Sequence, residues 1–150
     1  MSDNQMPDVA IRPAALADAE RIARLVTELG YATSADLMDA RLDAILRDDD
    51  YETLVACDDG TVVGFLGLRR GLLSESDDRY AQIMAMVVAE SHRQRGVGGQ
   101  LIRAAEAIVA ERGVRILVVT TGNQRDRAHK FYESNGYTYT GRRYMKRLSP

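Results

Sequence analysis

Tryptophan is absent from these 150 residues, cysteine occurs once and histidine twice. A lone Cys57 excludes an internal disulfide and any cysteine-based metal cluster. The two histidines, His92 and His129, do not make a His-rich zinc site, so no metal is expected. No apolar run reaches the ~18 to 20 residues that a bilayer span requires. Met1 to Asp8 is polar and acidic, without the basic start and apolar stretch of a secretion signal. Internal repeats, low-complexity tracts and Pro/Gly/Ser linkers are also missing. These absences lead to the expectation of a cytoplasmic protein with no membrane partner, with a flexible N-terminus over residues 1–8 and one domain over 9–150.

What is present is a composition able to build a core, 45% hydrophobic and 28% charged. The formal net charge of −2 conceals an asymmetry. Residues 1–90 carry 8 Lys/Arg against 18 Asp/Glu, and residues 91–150 carry 12 against 4. Such a split marks either two solvated faces or two interaction surfaces, one for a polyanion and one for a cation. A pI of 5.7 argues against the broad basic footprint of a nucleic-acid binder.

The periodicities predict the order β-α-α-β-β-β-α-β-α-β-β. Val9 to Arg12 reads as a strand that Pro13 breaks. Ile22, Leu25, Val26 and Leu29 fall at helical spacing within Ala15–Leu29, and Gly30 stops the helix. Ser34 caps a second helix, with Leu37, Leu42, Ile45 and Leu46 along one face. Thr53 to Cys57 and Thr61 to Leu68 form a hairpin about Asp58-Asp59-Gly60. Arg79 to Ala89 is a fourth strand. A helix carrying Leu101, Ile102, Ala105, Ile108 and Val109 ends before Gly113. Val114 to Thr120 reads as a strand buried on both faces. Ala128 to Ser134 is a short helix closed by Asn135-Gly136, and Tyr137–Thr140 with Tyr144–Arg147 complete the set as strands. The expected fold is mixed α/β, a central twisted sheet of about seven strands flanked by about four helices.

The segment between the fourth strand and its following helix carries the chemistry. In Arg93-Gln94-Arg95-Gly96-Val97-Gly98-Gly99 the glycines lack Cβ atoms, so a ligand can approach the backbone. Helix N-termini present unsatisfied amides and the positive end of the macrodipole, which favour anions. Two arginines add charge. The turn suits a phosphate or pyrophosphate. A dinucleotide fold would place its glycines after the first strand, and a nucleotide P-loop would need Gly-Lys-Ser/Thr; neither is found.

Arg93-x-x-Gly96-x-Gly98, after a strand ending Met86-Val87-Val88, resembles the acetyl-CoA motif of the GNAT superfamily of N-acetyltransferases. Ala128-His129-Lys130-Phe131-Tyr132-Glu133-Ser134-Asn135-Gly136-Tyr137 resembles a second segment of that family, with Tyr137 where Phe is usual. Ile11-Arg12-Pro13-Ala14 and Asp18-Ala19 are a third, weaker match. The order agrees over about residues 9–148. The resemblance implies acetyl-CoA as acyl donor and direct attack of a primary amine, of a small molecule or peptide, on the thioester. It implies that the backbone of Met86, Val87 and Val88 pairs with the pantetheine arm. The Met86 amide would donate to the thioester carbonyl. Amides of the turn, with Arg93, Gln94, Arg95, Gly96, Val97, Gly98 and Gly99, would hold the pyrophosphate. Tyr132, which helix pattern alone reads as a core aromatic, takes the position of a general acid that protonates the departing thiolate.

The chain departs from the family pattern at two positions. Gln82 stands where some relatives carry a catalytic glutamate, and an amide cannot act as a base. A water, a carboxylate such as Glu28, or bulk solvent remains for that role. Arg125 stands where many relatives have Asn, with Asn123 two residues earlier, and either is a CoA contact. By strand alternation Tyr80 and Gln82 share the site-lining face with Met86. Tyr31, in the loop after the first helix, joins Glu28 as a substrate contact. Cys57 is read as a small core residue, and His92 and His129 as exposed polar residues outside the chemistry. The acidic N-terminal part favours a cationic acceptor, and the C-terminal strand pair offers an edge for a homodimer. The alternative to an enzyme is a non-catalytic acyl-CoA-binding module; a nucleotide-dependent enzyme is a third reading.

Overall fold

The computed structural model describes residues 8–121 and 126–149. Its elements are β1 (Ala10–Pro13), α1 (Ala19–Leu29), α2 (Ala35–Leu46), β2 (Tyr51–Asp58), β3 (Thr61–Leu72), β4 (Arg79–Val88), α3 (Val97–Glu111), β5 (Ile116–Val119) and α4 (Asp126–Ser134). Short 3-10 turns, Leu16–Asp18 and Glu90–His92, lead into α1 and out of β4. The chain divides into two compact units, Met1–Val118 and Val119–Pro150. The expected flexible segment 1–8 lies, apart from Asp8, outside the described residues.

The sheet has the order β1-β2-β3-β4-β5. β1–β2, β2–β3 and β3–β4 pair antiparallel. The β2–β3 hairpin turns through Asp59 (φ 49°) and Gly60 (φ 81°), two left-handed positions whose twist matches the strands. Leu54 to Cys57 and Val62 to Leu66 are buried without alternation, so both faces of the central strands are covered. α1 and α2 pack on each other and on β2–β4, while α3 packs across β1–β4. α3 brings Val97, Leu101, Ile102, Ala105 and Val109 onto the sheet. Its seat depends on Gly64, where a Cβ would stand 3.2 Å from both Leu101 Cδ1 and the Val87 carbonyl oxygen. Leu101 and Ile102 are fully buried, each stabilising by about 1.5–3 kcal/mol. Leu101→Ala at this contact would cost about 2–5 kcal/mol.

Local signals place the helix ends. Gly30 closes α1 at φ 113°. The Ser34 hydroxyl accepts from the Leu37 amide and starts α2. Before α1, Asp18 accepts from both terminal guanidinium nitrogens of Arg12, at 2.8 and 2.9 Å, and from the Ala15 amide at 2.8 Å. This ties β1 to the helix entrance. Cys57 is buried, as expected of a small core residue.

Four expectations are corrected. The helix read from Ala15 begins at Ala19, because Leu16–Asp18 forms the tighter turn. α2 buries Met38 and Leu42, while Leu37 is 61% and Leu46 42% exposed; its apolar residues fit two phases, and packing on β2 selects one. β5 is shorter than Val114–Thr120 and only partly buried. Among the described residues the sheet has five strands, not about seven, because Tyr137–Thr140 and Tyr144–Arg147 form no ladder. Residues 138–149 are exposed, and β-forming side chains without a partner surface do not hold a strand. The edge on which the homodimer expectation rested is therefore not formed.

In the second unit, α4 ends in a Schellman-type cap at Gly136 (φ 91°). The Tyr137 amide donates to Tyr132 O at 3.0 Å and that of Gly136 to Glu133 O at 3.1 Å.

Candidate active site

β4 delivers the chain to the glycine-rich turn. Ala81, Ile83, Val87 and Ala89 are buried, whereas Tyr80, Gln82, Met84, Met86 and Val88 are less so. The alternation expected from sequence is present, with one interruption. Gly67 pairs with Ala85 and Leu68 with Ile83, which leaves Met84 without a partner on β3. Sequence reasoning missed this bulge; its signal is the isolated glycine in the facing strand.

The ladder also fixes where the backbone points. The Ala89 amide donates to Val63 O at 2.7 Å. Alternation from that bond turns the amides of Met86 and Val88 away from β3, toward the side on which β5 follows. Met86 is paired in register with Leu66, Val87 with Phe65 and Val88 with Gly64.

Past Val88 the chain is held from two directions. The Glu90 amide donates to Glu28 Oε2 of α1 at 3.2 Å. His92 Nε2 lies 2.8 Å from Asp58 Oδ2 at the end of β2. Arg93 folds back, its Nε donating to Val88 O at 3.1 Å. Gln94 then takes φ 61° and Gly96 φ 84°, and α3 begins. The first bond of that helix runs from the Gln100 amide to Gly96 O at 3.1 Å. The amides of Val97, Gly98 and Gly99 precede it and are left for another acceptor. Arg93 and Arg95 are exposed beside them. Arg103, which sequence reasoning also missed, reaches back over Gly99, where a Cβ would meet its Nη1 at 3.2 Å. Its signal is the i, i+4 spacing from a residue without a side chain. Three guanidinium groups and a helix N-terminus fit an anion of pyrophosphate charge.

The remaining candidates divide. Glu28 is brought to the turn through Glu90, and with Glu20, Arg24, Thr27 and Thr33 it lines a cleft of about 440 Å³ between α1 and the start of α2. Thr33 Oγ1 is buried there without a hydrogen-bond partner among the described residues. Tyr31 is 67% exposed. Tyr80 lies six residues, or roughly 20 Å of strand, from Met86, with its ring over Gly71. Gln82 is half-buried opposite Arg69. Asn123 and Arg125 lie outside the described residues. In the second unit Tyr132 is buried, edge-on to Phe131 at 5.2 Å and to Tyr137 at 5.7 Å. His92 is not the exposed residue expected: its side chain is 17% accessible, because Asp58 draws it inward. Among the described residues no group of three or more His, Cys, Asp or Glu side chains is gathered as a metal would require. No described helix is long and apolar enough to cross a membrane.

Residues 19–137 match the acetyltransferase (GNAT) family. The chain is 31% identical over 131 residues to YhfO of Bacillus subtilis, an uncharacterised N-acetyltransferase, covering 85% of this chain and 88% of that one. It is 27% identical over 151 residues to the aminoalkylphosphonate N-acetyltransferase of Salmonella typhimurium, covering 97% and 96%. Its fold is similar to that of the aminoglycoside N-acetyltransferase AAC(6')-Iy solved with CoA, with a TM-score of 0.82, 24% identity and coverage of 93% and 94%.

Proposed function

The chain belongs to the GNAT family of acetyltransferases, and from that premise we propose that it acetylates a small cationic amine, with the turn after β4 holding the donor's pyrophosphate. It is an N-acetyltransferase that uses acetyl-CoA. The observation that carries the finer reading is the set of amides at Val97, Gly98 and Gly99, ahead of the first α3 bond and flanked by Arg93, Arg95 and Arg103.

The donor would be laid along β4. The outward backbone of Met86 and Val88 suits pairing with the pantetheine amides, and the Met86 amide suits the oxygen on which charge develops as the amine attacks. As the carbon–sulfur bond breaks, Tyr132 would give its phenolic proton to the thiolate; this role rests on the family resemblance. Gln82 supplies no base, which leaves the amine's proton to water or to Glu28. The family match spans both compact units, which favours their serving as one acetyltransferase domain.

Two observations favour a cationic acceptor. The cleft at α1 is lined by the carboxylates of Glu20 and Glu28, of which Glu20 is already paired with Arg24 at 3.1 Å. The first 90 residues are strongly acidic. Thiol release from acetyl-CoA, measured against cationic, neutral and anionic primary amines, tests the reading. Preference for anionic amines would sink the cationic acceptor, and CoA binding without turnover of any amine would sink the catalytic role.

A further inference from the structure

The catalytic reading leaves His92 unused, yet its side chain ties the turn to an element remote in the chain. Asp58 closes β2, 34 residues earlier, and Asp59-Gly60 reverse the chain beside it. The ring of His92 is bonded at both nitrogens, Nε2 to Asp58 Oδ2 at 2.8 Å and Nδ1 to Ser91 Oγ at 2.7 Å. A carboxylate only accepts, so Nε2 carries the proton and donates. Nδ1 then accepts from the Ser91 hydroxyl.

Two residues beyond His92, Gln94 adopts φ 61°, a conformation that side chains other than glycine, Asn and Asp rarely adopt. Unfavourable backbone of this kind persists where its surroundings fix it. Downstream it is fixed by α3, anchored on the sheet by Val97 and Leu101. Upstream, Arg93 Nε bonds back to Val88 O of the adjoining β4, and the nearest side-chain anchor to an element remote in the chain is the bond from His92 to Asp58.

We propose that His92 and Asp58 are a positioning pair: the β2–β3 hairpin, through this bond, sets the turn whose amides receive the pyrophosphate of acetyl-CoA. The inference rests on the reading of that turn as the CoA site. The His92 ring is bonded to Ser91 and Asp58, so the pair is assigned to donor binding through the turn and not to the chemical step.

The test is calorimetric binding of CoA together with steady-state kinetics on the full chain. His92→Ala and Asp58→Ala should each raise the Kd for CoA and the KM for acetyl-CoA about tenfold. kcat at saturating donor should stay within about twofold, with the acceptor KM unmoved. The double variant should be no worse than either single one, because both remove the same bond. His92→Gln, whose amide donates from the place of Nε2, and Asp58→Asn, which keeps an acceptor oxygen, should restore most of the affinity and guard against a folding defect in the alanine variants. Unchanged Kd in both alanine variants, additive losses, or a fall in kcat and Tm without a change in Kd would overturn the pair alone. Failure of the unaltered protein to bind CoA would overturn the site reading and the pair with it.

Discussion

The Gln100 amide donates to the carbonyl oxygen of Gly96 at 3.1 Å, and Gly96 holds φ 84°. The first bond of α3 therefore depends on a residue in the left-handed region, and the amides after it are aimed by that residue. Gly96→Ala places a Cβ where such a φ costs about 1–2 kcal/mol. The chain would relieve the strain by rotating the turn. CoA binding should weaken at least about tenfold, read by calorimetry, while the far-UV circular dichroism keeps its helix content. Unchanged affinity would show that the Val97–Gly99 amides do not hold the donor.

Gln94 shows the opposite sign. Its φ of 61° is held without the freedom of glycine. Gln94→Gly removes the steric cost but enlarges the entropy of the unfolded chain. The net expectation is about 0.5–1 kcal/mol of added stability, or ~1–4 °C in Tm, seen in a thermal melt. A lower Tm would mean that the Gln94 side chain contributes more than its backbone costs.

These two turn residues mark how far the sequence reaches. Gly30, Ser34, Asp59-Gly60 and Gly136 act through their own backbone or a neighbour's, so they place helix ends and the hairpin correctly. The glycine-rich turn is legible for the same reason. What is not legible depends on contacts remote in the chain. His92 reads as an exposed polar residue until the β2–β3 hairpin brings Asp58 to it. Met38 rather than Leu37 enters the core because α2 packs on β2 in one phase of two. Tyr137–Thr140 and Tyr144–Arg147 have strand-forming residues, but a strand is a property of a pair, and among the described residues they join no ladder.

The bond from Arg12 to Asp18 predicts a pH dependence. Arg12 hydrogen bonding holds the Asp18 carboxyl below its usual range, burial opposes this, and the Ala15 amide and the Arg12 charge add to it. A carboxyl lowered in the folded state contributes stability that is complete above its unfolded value of about 3.9 and is lost as pH falls through the folded value. Asp18→Asn imitates the protonated form. It should cost about 1–2 kcal/mol at pH 7, a figure reduced because the Arg12 side chain is 44% exposed. The gap in Tm between the two proteins should be constant from pH 7 to 5 and close below pH 4. A gap that widens toward acid would contradict the sign.

Glu28 separates a binding role from a structural one. Its Oε2 accepts from the Glu90 amide at 3.2 Å, and a glutamine oxygen can accept the same bond. Glu28→Gln therefore keeps the tether and removes the charge from the α1 cleft. The KM for a cationic amine should rise about two- to fivefold, the order of an exposed charge contact, with the KM for acetyl-CoA unchanged. Equal changes for cationic and neutral amines would remove Glu28 from acceptor recognition. A fall in kcat that raising the pH restores would instead mark it as the base.

Tyr132 is where packing and chemistry are hardest to separate. Its ring is buried and meets Phe131 and Tyr137 edge-on, so loss of the ring would leave a cavity and a destabilised second unit. Tyr132→Ala is therefore uninformative, since lost activity would follow from either cause. Tyr132→Phe keeps the ring and removes only the hydroxyl, so the Tm should move by no more than ~2–4 °C. If the phenol protonates the thiolate, kcat should fall about 10²-fold, the lower end of general-acid contributions, with CoA affinity intact. A donor with a better leaving thiol needs the proton less, so the deficit should narrow when the acetyl group is presented on an activated thioester. Full activity in Tyr132→Phe, or a deficit that ignores the leaving group, would confine Tyr132 to packing.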